Sequence, residues 1–236
     1  MKSRHKYAII TLILITFTTI IWGTLNVDAN TENPVKIIGS DDKGDVTRVV
    51  YSQSSNTTAK IAIVTGMHPR ELSAKNTVPE VIKSYTKKNN VEIVNYMVNV
   101  TAYPENFYTG RNNGEYLVAK YIIPDIKKSN YDMVIICHDH EEGYGEGYYF
   151  ATPSMDTKSM EIAQKVRYIL TDFNFCTRDV TKKADSNSIE SVDDPIVATG
   201  TPLMVYEIPE WMGNEDVTKN TARFIDSVFN VLNSNN

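Results

Sequence analysis

Lys60-Ile61-Ala62-Ile63-Val64-Thr65-Gly66-Met67-His68-Pro69-Arg70-Glu71-Leu72 is the stretch that decides the fold. Its first half is a near-continuous apolar run closed by glycine. That is the pattern of a strand buried on both faces, as in a parallel or mixed sheet under helices. Its second half carries a histidine and a glutamate three residues apart, where a helical stretch begins. Two further runs share this construction. Asp132-Met133-Val134-Ile135-Ile136-Cys137-His138 is apolar until it ends in histidine, with Asp139-His140-Glu141-Glu142 following. Pro202-Leu203-Met204-Val205-Tyr206-Glu207 is apolar until it ends in a carboxylate.

The segments between these runs alternate in type. Residues 35–39 and 47–53 read as strands, and 91–101 as another. Residues 73–88 have helical spacing, with Pro79 either kinking the helix or delaying its start. Residues 103–114 are rich in Asn and Gly and read as loop. Residues 115–128 return to helical spacing, ended or kinked by Pro124. A glycine-rich turn at 143–147 precedes a short strand at 148–151. Residues 157–173 form an amphipathic helix capped by Asp156 or Thr157. Residues 175–180 are a weak strand, 182–195 a polar acidic loop without core signal, and 214–232 a terminal helix. Strands alternating with helices predict a single α/β domain, a mixed, mostly parallel sheet with helices on both faces. In such sheets functional groups gather at the carboxyl ends of the strands, where His68, His138 and Glu207 stand.

The first 29 residues read as a signal peptide or an N-terminal membrane anchor. Lys2, Arg4 and Lys6 precede an apolar stretch of nearly the roughly 20 residues a bilayer span needs. Val27 and Ala29 suit the −3 and −1 positions of a cleavage site. Residues 30–34 are then a polar linker and 35–236 one domain, placed outside the cytoplasm under either alternative. The formal charge is −5, and more negative without the basic leader, which argues against a nucleic-acid binder. Cys137 and Cys176 are the only cysteines. Two cysteines are no disulfide scaffold, and they form either one bridge or two buried thiols.

The chain has four histidines, and His5 lies in the leader. His68 and Glu71 supply an imidazole and a carboxylate from one turn, and His138 can supply a third ligand. His140 has the same strand parity and is the alternative. Two His and one Glu hold zinc tetrahedrally with a fourth position left for water. Zinc lowers the pKa of such a water to roughly 7 and polarises a carbonyl. A nearby carboxylate must then take the water proton and pass it to a leaving amine, and Glu207 is placed for that. Each feature alone is common: a His-x-x-Glu at a solvated helix start, a structural histidine, a surface glutamate. The coincidence of all three at strand ends in a histidine-poor chain favours the metal reading. A metallo-β-lactamase-type site built on His138 and His140 would need further histidines, and none follows His140.

Thr65-Gly66-Met67-His68-Pro69-Arg70-Glu71-Leu72 resembles the Gly-x-His-x-Arg-Glu ligand motif of the zinc carboxypeptidases. That superfamily includes the compact succinylglutamate desuccinylase and aspartoacylase branch. The strands ending at His138 and Glu207 resemble those carrying the family's second zinc histidine and its catalytic glutamate. Gly110-Arg111-Asn112-Asn113-Gly114 resembles the segment that grips a substrate carboxylate or oxyanion. The pattern is most similar to small extracytoplasmic archaeal members. The resemblance implies one Zn²⁺ per chain on His68, Glu71 and His138 (or His140), with Glu207 and Arg111 catalytic. It implies Arg111, Asn113, Arg70 and Tyr144 as substrate-binding groups, and hydrolysis of a peptide or acyl-amino-acid amide bond. Its counterpart is a non-catalytic envelope protein derived from that fold. The chain differs from the family at Ile136, often acidic, and at Asp139, usually Ser or Asn. The family's substrate-binding tyrosine corresponds to Tyr144, Tyr148 or Tyr206.

Overall fold

The computed structural model describes residues 34–54, 56–183 and 186–234. The leader and nearly all of the linker lie outside the described residues. The chain runs β1 (Val35–Asp41), β2 (Gly44–Tyr51), β3 (Lys60–Thr65), then a π-helical turn (Ser73–Thr77) into α1 (Val78–Thr86). Next come β4 (Glu92–Val100), α2 (Phe107–Leu117), and a second π turn (Val118–Ile122) into α3 (Ile123–Ile126). β5 (Met133–His140), β6 (Tyr149–Ala151), α4 (Thr157–Ile169) and β7 (Asn174–Cys176) follow. A third π turn (Ile189–Asp193) leads into α5 (Asp194–Val197), then β8 (Leu203–Pro209) and α6 (Asn214–Asn233).

All eight strands form one sheet in the order β1-β2-β4-β3-β5-β8-β6-β7. The central run β4-β3-β5-β8 is parallel, and β1, β2 and β6 join it through antiparallel pairs. Alternation along each strand divides the core in two. Met133, Ile135 and Cys137 of β5 meet Met204, Tyr206 and Ile208 of β8 under α1, α4 and α6. Val134 and Ile136 meet Leu203 and Val205 on the other face, under α2, α3 and α5. Each fully buried Ile or Val here contributes about 2 kcal/mol by leaving water. On the first face Tyr206 stacks on Phe224 of α6 at 4.4 Å.

The structure departs from the sequence reading in several places. Residues 107–114 are helix, not loop. Asn106 caps α2 by accepting the Thr109 N–H at 2.9 Å. A Cβ at Gly114 would fall on the Met67 carbonyl oxygen, so this glycine is needed for close packing rather than for a turn. Within the expected 182–195 loop a helical segment begins at Ile189 and runs past it to Val197, with Val192 and Ile196 fully buried. At Pro79 the α segment starts late, at Val78, as one of the two alternatives had it; at Pro124 the chain stays helical to Ile126. With Pro195, each is the second residue of its α segment and follows a π turn. Val78, Ile123 and Asp194 donate to the carbonyls of Ser73, Val118 and Ile189, five residues back. One widened turn absorbs the missing donor and the ring clash of a proline inside a helix. Asp156, not Thr157, caps α4. Both cysteines are free; Cys137 is buried, but Cys176, on the edge strand β7, is exposed, which corrects the expectation of two buried thiols.

Candidate metal centre

β3 stops at Thr65 because Gly66 takes a left-handed conformation, φ +73°, where a Cβ would lie 2.5 Å from the Val98 carbonyl. The chain then crosses the carboxyl end of the sheet. A tight turn closes as the Glu71 N–H donates to the His68 carbonyl at 3.1 Å, which brings the two side chains together. His68 Nδ1 lies 2.7 Å from Glu71 Oε1, and His138 Nδ1 lies 2.7 Å from Glu71 Oε2. The two imidazoles stack at 4.4 Å. One donor atom from each residue lies within 4.8 Å of the others, and all three residues are buried. Two imidazole nitrogens and one carboxylate converging beside a cleft fit a divalent transition metal of the zinc type.

The electrostatics of the cluster are those of an ion pair. Burial works against the charge on Glu71, yet His138 and His68 hold its carboxyl well below the usual range. Burial also works against the His138 cation, yet Glu71 raises it to about 9. A divalent ion would take the place of that imidazolium proton as the positive charge between the donors.

Two residues of α2 complete the surroundings. Arg111 donates to Glu71 Oε1 at 3.1 Å and lies 5.3 Å from the Phe107 ring centroid. Glu115, one turn further, is buried with Oε1 3.5 Å from His68 Nε2, and its Oε2 accepts from the Ser191 hydroxyl at 3.1 Å. At 3.5 Å Glu115 is a charged neighbour of His68, whose Nε2 has no hydrogen-bond partner. Placing 103–114 as loop and 115–128 as helix separated Arg111 from Glu115, whose i, i+4 spacing on one helix was the available signal.

Glu207 stands in register with His138 on one side and Tyr149 on the other. Burial pushes its carboxyl up to about 7, although His138 pulls against this. A carboxyl at that value can accept and return a proton near neutral pH. No local pattern marks Tyr149, because β6 has only three residues. His140 also faces this side, but its Nε2 lies 2.9 Å from the Gly147 carbonyl and its Nδ1 3.3 Å from that of Glu141. It holds the 141–147 loop and stands outside the donor group. Tyr144 sits on that loop at the cleft mouth, 73% exposed. Tyr148 and Tyr206 belong to the core of the opposite face.

These groups border an open cleft of about 770 Å³. Arg70 is on its rim, 5.8 Å from the Phe107 ring centroid. Asn113 turns away and donates to the Ala102 carbonyl at 2.9 Å; its neighbour Asn112 is the one that lines the cleft. Asp193, at the end of the third π turn, lines the cleft while only 2% exposed, and its Oδ1 has no hydrogen-bond partner. Burial pushes its carboxyl up to about 7. Asp139, raised to about 6 by burial, accepts the backbone N–H groups of Ser73 and Ala74.

No protein-family model and no curated protein matches the chain. Solved structures match its fold. The metallo-carboxypeptidase from Burkholderia cenocepacia superposes with a TM-score of 0.63 at 11% identity, over 89% of this chain and 67% of that one. The metallo-carboxypeptidase from Pseudomonas aeruginosa, solved with (2-guanidinoethylmercapto)succinic acid, gives 0.54 at 11% identity, over 92% and 68%. The Cell Shape Determinant protein Csd4 from Helicobacter pylori, solved with a bound tripeptide, gives 0.55 at 10% identity, over 80% and 55%. The chain thus spans about two thirds or less of these chains, and what it shares with them is the metallo-carboxypeptidase fold.

Proposed function

We propose that this protein is a zinc-dependent hydrolase of a peptide or amide bond, of the metallocarboxypeptidase type, acting outside the cytoplasm. The observation that carries the reading is Glu207, raised to about 7, beside the His68-Glu71-His138 donor group in one open cleft. Zinc on those three residues would activate water and polarise the scissile carbonyl. Glu207 takes the proton from the attacking water and returns it to the departing amine. Arg111, beside Glu71 at the cleft, would pair with the oxyanion or with a substrate carboxylate. Arg70 and Asn112 border the same cleft and are further contacts for a peptide.

Charge around the cleft favours a substrate with a cationic side chain. Asp193 is buried there without a partner for Oδ1, and Glu141 and Glu210 line the same cleft. An ammonium or guanidinium would satisfy Asp193 and offset its desolvation. The leader-like composition of residues 1–29 supports an extracytoplasmic substrate such as a cell-wall peptide.

The test is a panel of short peptides with free and amidated C-termini, incubated with the full chain after zinc loading and after chelation. Zinc-dependent release of the terminal residue from the free forms is expected. Absence of bound zinc at neutral pH would overturn the reading. Peptide binding by the zinc-loaded protein without cleavage would favour the non-catalytic envelope role.

A further inference from the structure

The carboxyl end of β5 presents adjacent polar side chains to opposite faces of the sheet. His138 faces the cleft and the Glu71 carboxylate. Asp139, the next residue, points the other way. Its Oδ2 accepts the Ser73 N–H at 2.6 Å and its Oδ1 the Ala74 N–H at 2.8 Å. These are the first donors of the helical segment that begins at Ser73, and the residue at its cap position, Leu72, makes no side-chain cap. A residue some 65 positions away in sequence therefore does the capping.

What Asp139 grips is the backbone that carries the other two donors. Glu71 lies two residues before Ser73 and accepts the Lys75 N–H through its carbonyl at 3.1 Å. The Glu71 N–H returns to the His68 carbonyl at 3.1 Å. The His68–Glu71 turn, the start of the helical segment and the end of β5 are thereby joined by one bidentate contact. Among the described residues, pairing of β5 with β3 ends at Val64–Ile136, two residues before His138 and seven before Glu71, so that pairing does not fix the distance between them.

We propose that Asp139 is a positioning residue for the metal centre: it fixes the separation of His138 from Glu71 and His68, and so sets the affinity for a divalent cation. This rests on the metal-centre reading above. The purely structural alternative makes Asp139 a helix cap whose loss lowers stability alone.

Zinc affinity of the full chain, measured by competition with a chromophoric chelator well below the melting temperature, separates the two. Asp139→Ala is expected to lose about 10- to 100-fold in zinc affinity, and the zinc-induced rise in melting temperature should shrink. Asp139→Asn keeps one acceptor oxygen and should fall between. Asp156→Ala is the control. Asp156 caps α4 in the ordinary way, accepting the Ser159 N–H at 3.0 Å, so this variant should melt lower yet bind zinc like the wild type. Zinc affinity of Asp139→Ala within about twofold of wild type would overturn the inference and leave the hydrolase reading intact. Equal weakening by Asp156→Ala would overturn it as well. If Asp139→Ala does not fold, the wild type and Asp139→Asn carry the same comparison. A wild type that binds no zinc overturns the reading on which this rests.

Discussion

Asp193→Asn should stabilise the metal-free protein at pH 8 and change it little at pH 4. The Asp193 carboxyl is 2% exposed and its Oδ1 has no partner. Burial raises its pKa from 3.8 to about 7; His138 opposes this, while Asp194, Glu115 and Glu207 add to it. A carboxyl whose folded pKa lies above its unfolded value favours the fold only while it is protonated. That contribution is complete below about 4, and is lost as pH rises through about 7. Each unit is worth about 1.4 kcal/mol, so the wild type gives up roughly 4 kcal/mol across this window. Asparagine keeps the shape without the charge. Its amide needs partners of its own, so the net gain at pH 8 should be about 1–3 kcal/mol. Urea unfolding of both proteins at pH 4, 6 and 8, in chelator, measures the difference directly. A difference that stays flat with pH, or a variant less stable than wild type at pH 8, would refute the assignment of Asp193 as a buried, uncompensated acid. A site group kept at such a cost is expected where function needs it, so the same variant should lose preference for cationic peptides.

Three further outcomes follow from the geometry. Glu207→Gln should retain one zinc per chain and lower kcat by about 10²- to 10⁴-fold; metal analysis with kinetics checks both halves, and unchanged turnover would remove Glu207 from the proton path. His138→Ala should abolish stoichiometric zinc while His140→Ala keeps it, as read by metal content after dialysis, and the reverse would make His140 the ligand. Gly114→Ala should lower the melting temperature and displace Arg111 and Glu115, because the added Cβ meets the Met67 carbonyl. Inside an unhindered helix the same change would stabilise by about 1 kcal/mol, so the sign of the shift is diagnostic.

The three buried strands and the polar residues that end them were legible from local pattern. An apolar run bounded by glycine or a charged residue states its own burial, whatever it packs against. The local signal and the tertiary requirement differ at a few places. Gly110 and Gly114 looked like loop glycines, yet Gly114 is there so that a helix can lie against the chain after β3. Residues 182–195 looked like a polar loop, because Val192 is the one fully buried hydrophobic residue among those described in that stretch. Pro79 and Pro124 marked where each helical segment changes character, but the π turn before each proline leaves no compositional mark.

The residue types of the site were likewise a property of the chain alone: scarce histidine, and carboxylates at strand ends. Their arrangement was not. His138 rather than His140 meets Glu71, Glu207 stands beside His138, and Asp193 arrives in the same cleft from a segment with no motif. Those outcomes depend on the order β3-β5-β8 and on the register that pairs His138 with Glu207. Order and register are set by contacts between residues far apart in the chain. Local periodicity reports which face of an element is buried, but not which neighbour buries it.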